Sequence, residues 1–359
     1  MTVLENGDPV AAPLMSDPAT PARMARRRFT IGGHLGVLIA LVLVCAYLAS
    51  TQSAFRTWGN VTNIVGSNSV TLVLALGATY VIIAGGLDMS IAAGTAATGM
   101  ILGLVVQAGA PLILILLAPI GFGLLLGFIN GALITFARIS FLVVTLGALS
   151  VYTSFALIVQ SGSTITVFGD KGFSPIYDFT TNKVGPIPIV MIFDVVLALI
   201  AGGVLRYTSF GRSVYAVGSN REAARLNGIN VTMIVLMVYI ITGFTVGLAS
   251  IVEVGRLTGA SPTVDPTLLL GVLAAVLIGG TAYTGGAGSI TGTIIGVLFL
   301  GVVQNGLTIV GVSSFWQGMV NGIILIAAVG IGVLREHGRF SLRLLRRRPV
   351  ASTSSPPPS

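Results

Sequence analysis

Residues able to do chemistry are sparse in this chain, because charged residues make up only 8% of its 359 positions. The densest group lies in "GSNREAARLNGIN" (218–230), which places Arg221, Glu222 and Arg225 together. Asp88, in "VIIAGGLDMS", and Asp194, in "PIVMIFDVV", stand in apolar surroundings. No Ser/His/Asp or Cys/His set stands out, so no nucleophile–base pair offers itself and no catalytic residue is expected. His34 and His337 are far apart and Cys45 is the single cysteine, so neither a metal site nor an internal disulfide is expected. A P-loop needs Gly-Lys followed by Ser or Thr. The two lysines, Lys171 and Lys183, are followed by Gly and Val. The chain therefore has no Walker A site and needs no cofactor of its own. "IGGTAYTGGAGS" (278–289) lacks a following Lys or Arg, so it reads as a broken backbone rather than a phosphate cradle.

The charged stretch reads as a short helix over 221–227. Ser219 or Asn220 can cap it, Glu222 sits in the first turn where the dipole favours an acid, and Glu222 and Arg225 are spaced to pair. Gly228 suits the stop. Two turns are not stable alone, so the helix must pack on something. Ala223 and Ala224 offer a slim face suited to a groove. Lying on lipid headgroups is the alternative, but the apolar face is small and has no Trp or Phe anchor.

Asp88 follows Gly85-Gly86 at the end of an apolar run. An acid inside a membrane is expensive and by default functional. Its place at a helix boundary favours a second role, capping the next helix through N–H groups around Ser90 to Ala92. Asp194 lies roughly 12 Å into its run at 1.5 Å per residue. It can face an aqueous path or pair with a neighbouring hydroxyl. Asn130 and Asn305 lie near helix ends, where they can bond across helices or touch a polar solute.

Positioning these residues falls to membrane-spanning helices. Apolar residues are 54% of the chain, and its charge is about a third of the 25% usual in soluble domains. The sequence predicts an all-α polytopic protein with ten spans, near 31–50, 61–84, 89–107, 111–135, 141–160, 187–206, 231–251, 268–285, 288–306 and 315–334. Forty-seven glycines suit close helix approach in a bundle. Residues 1–28 read as a disordered basic N-terminus and 335–359 as a basic, Ser/Pro-rich disordered tail, flanking a membrane domain over 29–334. With both termini cytoplasmic, only Arg56, Lys171, Lys183 and Arg256 fall outside, as the positive-inside rule expects. The basic residues thus serve topology rather than nucleic acid. The longest outer segment, 161–186, is a connection, a lid or a docking surface. "INGALITFARISF" (129–141) echoes "QNGLTIVGVSSF" (304–315) five helices later, the pattern of an inverted repeat.

Three motifs carry a resemblance. "TSFGRSVYAVGSNREAARLNGINV" resembles the cytoplasmic coupling loop of ribose/xylose/galactose-type ABC importer permeases, with Gly218, Asn220, Ala223, Ala224, Arg225, Gly228 and Ile229 at the fixed positions. "VIIAGGLDMSIAAG" (81–94) and "LAAVLIGGTAYTGGAGSITGTIIGVLFLGVVQNGL" (273–307) are similar to two further family segments. Ala92 and Ala93 depart from the common Val-Gly. The resemblance spans about 35–334 and implies an ABC importer permease fold in the bacterial inner membrane.

That resemblance further implies a partner ATPase dimer that receives a coupling loop over 207–230, with contacts from Gly218, Asn220, Arg221, Glu222, Ala223, Ala224, Arg225 and Gly228. It implies an extracytoplasmic sugar-binding protein and a second permease copy or paralogue. Expected along the path are Gly85, Gly86, Asp88, Asn130, Asp194, Gly279, Gly280 and Asn305. The expected solute is a monosaccharide or related polyol. Two alternatives stay open: a related permease for nucleosides or branched-chain amino acids, and an ion-coupled carrier using Asp88 and Asp194.

Overall fold

A computed structural model describes residues 32–263, 265–313, 316–327 and 329–330. The expected disordered ends, 1–28 and 335–359, lie outside these. In chain order the helices are α1 Gly32–Thr51, α2 Trp58–Ile83, α3 Ile91–Gln107, α4 Leu112–Thr135, α5 Phe141–Val159, α6 Ser174–Thr181, α7 Ile189–Tyr207, α8 Ser209–Ser219, α9 Arg221–Leu226, α10 Val231–Leu257, α11 Pro266–Ile278 and α12 Ile290–Ile309. An apolar helix α13 covers Trp316–Ala327. Six of these are long and apolar enough to cross a membrane, namely α2, α4, α5, α7, α10 and α12. Shorter apolar helices answer the other four expected spans. The fold is all-α and polytopic.

Local chemistry sets the helix ends. Thr57 accepts the Asn60 N–H to open α2, Ser289 accepts Gly292 N–H to open α12, and Asn230 accepts Met233 N–H to open α10. Each supplies an acceptor to a backbone N–H that the first turn cannot pair. The expected 268–285 span stops at Ile278 instead, because Gly280, Gly285 and Gly286 take positive φ. That turn of backbone excludes a continuous helix.

α2 and α10 hold the centre, with long buried runs including Val73–Ile83 and Val235–Gly255 positions. α4 lies against α10 backbone to backbone. A Cβ on Gly127 would strike the Tyr239 carbonyl, and one on Gly243 would strike that of Gly123. Gly123, Gly127 and Gly131 recur every fourth residue and so share one face of α4. Lipid-like surroundings give helices no hydrophobic drive to associate, so this close fit supplies dispersion contact instead. The opposite faces of α4, α5 and α7 expose large apolar residues such as Phe128, Val143 and Leu199, as a lipid contact requires.

The segment 161–186 is folded. Strand β1, Ile165–Thr166, pairs antiparallel with β4, Gly259–Ala260, which ties it to the end of α10. Helix α6 sets Ile176 and Thr180 on Gly255. A second short ribbon pairs β2, Lys183–Val184, with β3, Ile187–Pro188. Trp58 Nε1 donates to the Pro186 carbonyl at 2.8 Å and fixes the ribbon to α2.

Candidate functional site

Helix α9 forms as its local chemistry dictates. Asn220, rather than Ser219, caps it, its Oδ1 accepting Ala223 N–H at 2.9 Å. Arg225 donates to Glu222 at 2.8 Å, and Gly228 ends the helix at φ 80°. The ion pair is exposed on both sides, so it holds shape more than it stabilises. One expectation is corrected: Ala223 and Ala224 do not share a face. Ala224 is 4% exposed and packs against the chain itself, while Arg221, Glu222, Ala223, Arg225 and Leu226 are exposed. A single residue step separates outward from inward, since neighbours on a helix point about 100° apart. Leu226, 79% exposed, is the large apolar group on the free side.

The preceding residues, expected as loop, form α8. Thr208 caps it by accepting Gly211 N–H. Gly211, Val214 and Val217 turn inward at helical spacing, a periodicity that could have revealed the helix. Tyr215 Oη donates to the Gly288 carbonyl at 2.8 Å. Burial pushes that phenol up from its usual value, so it remains the donor.

Three glycine-bearing segments meet beneath α9. The Ile83 carbonyl at the end of α2 accepts Gly286 N–H at 2.8 Å. Gly218 presses on that same carbonyl, so closely that a Cβ there would overlap it. A Cβ on Gly285 would lie 2.9 Å from Gly85 Cα, and Arg221 Nη2 approaches the Gly85 carbonyl at 3.5 Å. The α8–α9 stretch, the α2–α3 corner and the α11–α12 loop thus form one junction made mainly of backbone.

A buried polar network runs from the corner into the bundle. Asp88 Oδ1 accepts Ser90 N–H at 2.9 Å and Ser90 Oγ at 2.6 Å. It therefore pins the residue that opens α3. Asn130 Nδ2 on α4 donates to Ser90 Oγ at 2.9 Å, and Tyr152 Oη on α5 donates to Asn130 Oδ1 at 3.0 Å. Tyr239 Oη on α10 donates to the Leu87 carbonyl at 3.0 Å. Asp88, Ser90, Asn130 and Tyr152 border a cavity of about 10 Å³, the size that holds one water.

Of the expected path residues, Asp88 and Asn130 come together in this network, and the others lie elsewhere. Gly85 and Gly86 lie at the junction corner. Gly279 closes on the Gly292 backbone, and Gly280 makes the turn after α11. Asn305 exchanges two bonds with Asn60, at 2.8 and 3.0 Å, near the opposite end of α2. Asp194 accepts Ser69 Oγ at 2.8 Å, the neighbouring-hydroxyl alternative. Sequence reasoning missed Ile83, Tyr152, Tyr215 and Tyr239, whose roles depend on contacts between distant segments. Among the described residues no His/Cys/Asp/Glu group could hold a metal.

A polytopic helical bundle whose exposed, capped helix rests on the broken ends of its central spans has the build of a transporter's membrane subunit. Residues 60–329 match the family model described as branched-chain amino acid transport system / permease component. The chain belongs to that family. It is 34% identical to the ribose import permease of Escherichia coli (strain K12), over 81% of this chain and 91% of that protein. It is 36% identical to the ribose import permease of Bacillus subtilis (strain 168), over 83% and 91%. The D-allose permease of Escherichia coli (strain K12) is 32% identical, over 82% and 90%. Among solved structures, a metal-chelate type ABC transporter in an inward-facing conformation matches 84% of this chain and 98% of its own at TM-score 0.47 and 14% identity. The chain is a multi-pass inner-membrane permease.

Proposed function

We propose that this permease imports a monosaccharide or related polyol, driven by ATP that a separate ATPase pair hydrolyses. The carrying observation is the junction under α9, where one carbonyl, that of Ile83, joins the exposed helix to α2 and to the α11–α12 loop. Relatives named for ribose and allose import support the solute class. The α9 end faces the cytoplasm in this reading, with both termini on that side, and an extracytoplasmic binding protein delivers solute to the other end. A second copy or a paralogue completes the path.

The contacts support a route of transmission. When the ATPase pair closes, it displaces α9. Gly218 leaves no slack against Ile83, so the push reaches α2. Tyr239 carries it from the corner to α10, and Asp88, Ser90 and Asn130 carry it to α4. Rigid packed elements with few alternative arrangements pass such displacements well.

The test is to purify the tagged permease gently, identify its partners, and measure labelled monosaccharide uptake after reconstitution with them. A bound P-loop ATPase and ATP-dependent sugar uptake are expected. A transport-active preparation that lacks an ATPase and stops when the proton or sodium gradient is collapsed would support the ion-coupled alternative. Uptake of branched-chain amino acids or nucleosides in place of sugars would move the solute class.

A further inference from the structure

Most polar side chains inside the bundle are taken up by the protein. Asp88 holds Ser90, Asn130 joins Ser90 to Tyr152, Asn60 and Asn305 satisfy each other, and Thr79 pairs with Thr293 at 2.7 Å. One cluster, where α2, α7 and α10 meet in the half of the bundle away from α9, keeps capacity unused.

Asp194 spends Oδ1 on Ser69, but its Oδ2 is buried with no hydrogen-bond partner among the described residues, and the residue is 2% exposed. On α10, Glu253 and Arg256 are three residues apart and so share a face. Arg256 interacts electrostatically with both Glu253 and Asp194, yet the ion pair found among the described residues is Arg225–Glu222 alone. Its fork instead reaches α2 through two long bonds of 3.4 Å, to the Ser67 carbonyl and Oγ. Ser67 Oγ in turn donates to Asn63 Oδ1 at 3.3 Å, one turn along α2.

Asn63, Ser67 and Arg256 are exposed. Arg256 closes α10 on the outer side and Asn63 and Ser67 lie in the first turns of α2, so this exposed polar patch stands at the outer mouth of the bundle, where a solute enters. Unpaired buried acceptors are costly, and a guanidinium has five donors, here spent on two weak bonds. Asp194 Oδ2 is an acceptor and the guanidinium is a donor. A sugar hydroxyl is both, so adjacent hydroxyls can bridge the two kinds of group.

We propose that Asp194, Glu253 and Arg256, set by Ser67 and Asn63, form the site where the permease grips hydroxyl groups of an uncharged polyol on its way through. Hydroxyls donate to Asp194 Oδ2 and to Glu253 and accept from Arg256. The paired acids disfavour an anionic solute. This inference rests on the reading of the chain as a monosaccharide permease.

The test uses the full transporter in proteoliposomes with its binding protein saturated by the parent sugar or by each single-deoxy analogue. Asp194→Asn and Arg256→Gln are compared with wild type at equal membrane incorporation and equal ATPase content. Parent-sugar uptake should fall about tenfold, the scale of one lost hydrogen bond to a charged group. At least one deoxy analogue should be carried equally by variant and wild type, because it lacks the hydroxyl that the residue takes. Ser67→Ala, on an exposed position, gives the same pattern more weakly and remains available if the buried variant fails to insert. Uptake that falls by one common factor for every analogue, or does not fall at all, overturns the proposal while the importer reading stands. A wild-type complex that carries no monosaccharide overturns both.

Discussion

Gly218 and Ile83 meet main chain to main chain, with no room for a methyl group between them. The Ile83 carbonyl also holds Gly286 N–H, so one peptide unit seats two separate segments. Gly218→Ala forces them apart, and overpacking of this kind costs about 1–3 kcal/mol. Sugar uptake should fall at least several-fold, with a lower thermal midpoint in detergent. Unchanged uptake at wild-type stability would show that the junction does not transmit force.

The two alanines of α9 separate folding from partner binding. Ala224→Glu buries a carboxylate without a partner, which costs more than the roughly 2–7 kcal/mol of an unpaired neutral polar group, and should leave little folded protein. Ala223→Glu points outward, so the permease should fold normally and lose ATPase in co-purification. Fluorescence-detected size exclusion and pull-down together read both outcomes. Equal behaviour of the two variants would contradict the orientation of α9.

The Asp88 network makes a graded prediction. Tyr152→Phe removes one neutral hydrogen bond to Asn130 and should cost about 1 kcal/mol. Asp88→Ala strands both the Ser90 N–H and its hydroxyl, and should cost about 1–3 kcal/mol. Thermal midpoints of the purified variants should therefore fall in that order, and the reverse order would mean that Asp88 is not the anchor.

The α4–α10 seam can be tested against an internal control. Gly127→Ala sets a methyl on the Tyr239 carbonyl and should destabilise by about 1–3 kcal/mol. Gly147, on α5, has nothing within 4 Å of where a Cβ would stand. Gly147→Ala should be neutral or stabilising by roughly 0.5–1 kcal/mol, since alanine holds a helix better. Denaturation of both variants side by side distinguishes loss of close packing from a general effect of glycine.

What the sequence made legible was local. Each span is a run of apolar residues, and the cap, ion pair and stop of α9 lie within nine residues, at Asn220, Glu222–Arg225 and Gly228. Asp88 was readable as a cap because its partner, Ser90, is two positions away. What stayed hidden was relational. Nothing in "REAARL" says which alanine turns inward, because both flanks of the helix are small or charged and the docking surface comes from residues far along the chain. The Ser69–Asp194 bond joins positions 125 residues apart. Helix α8 was hidden for a different reason. Its half-polar sequence resembles a loop unless Gly211, Val214 and Val217 are read as one face.

The junction under α9 is built from main-chain atoms and glycines, whereas the surface above it is built from side chains. Gly85, Gly285 and Gly286 hold positive φ and Gly218 has no space, so single substitutions in the lower layer are strained or excluded. Ala223 and Leu226 project outward and tolerate exchange. If an ATPase docks on α9 as proposed, its identity is rewritable by mutation in the upper layer without redesigning the linkage underneath.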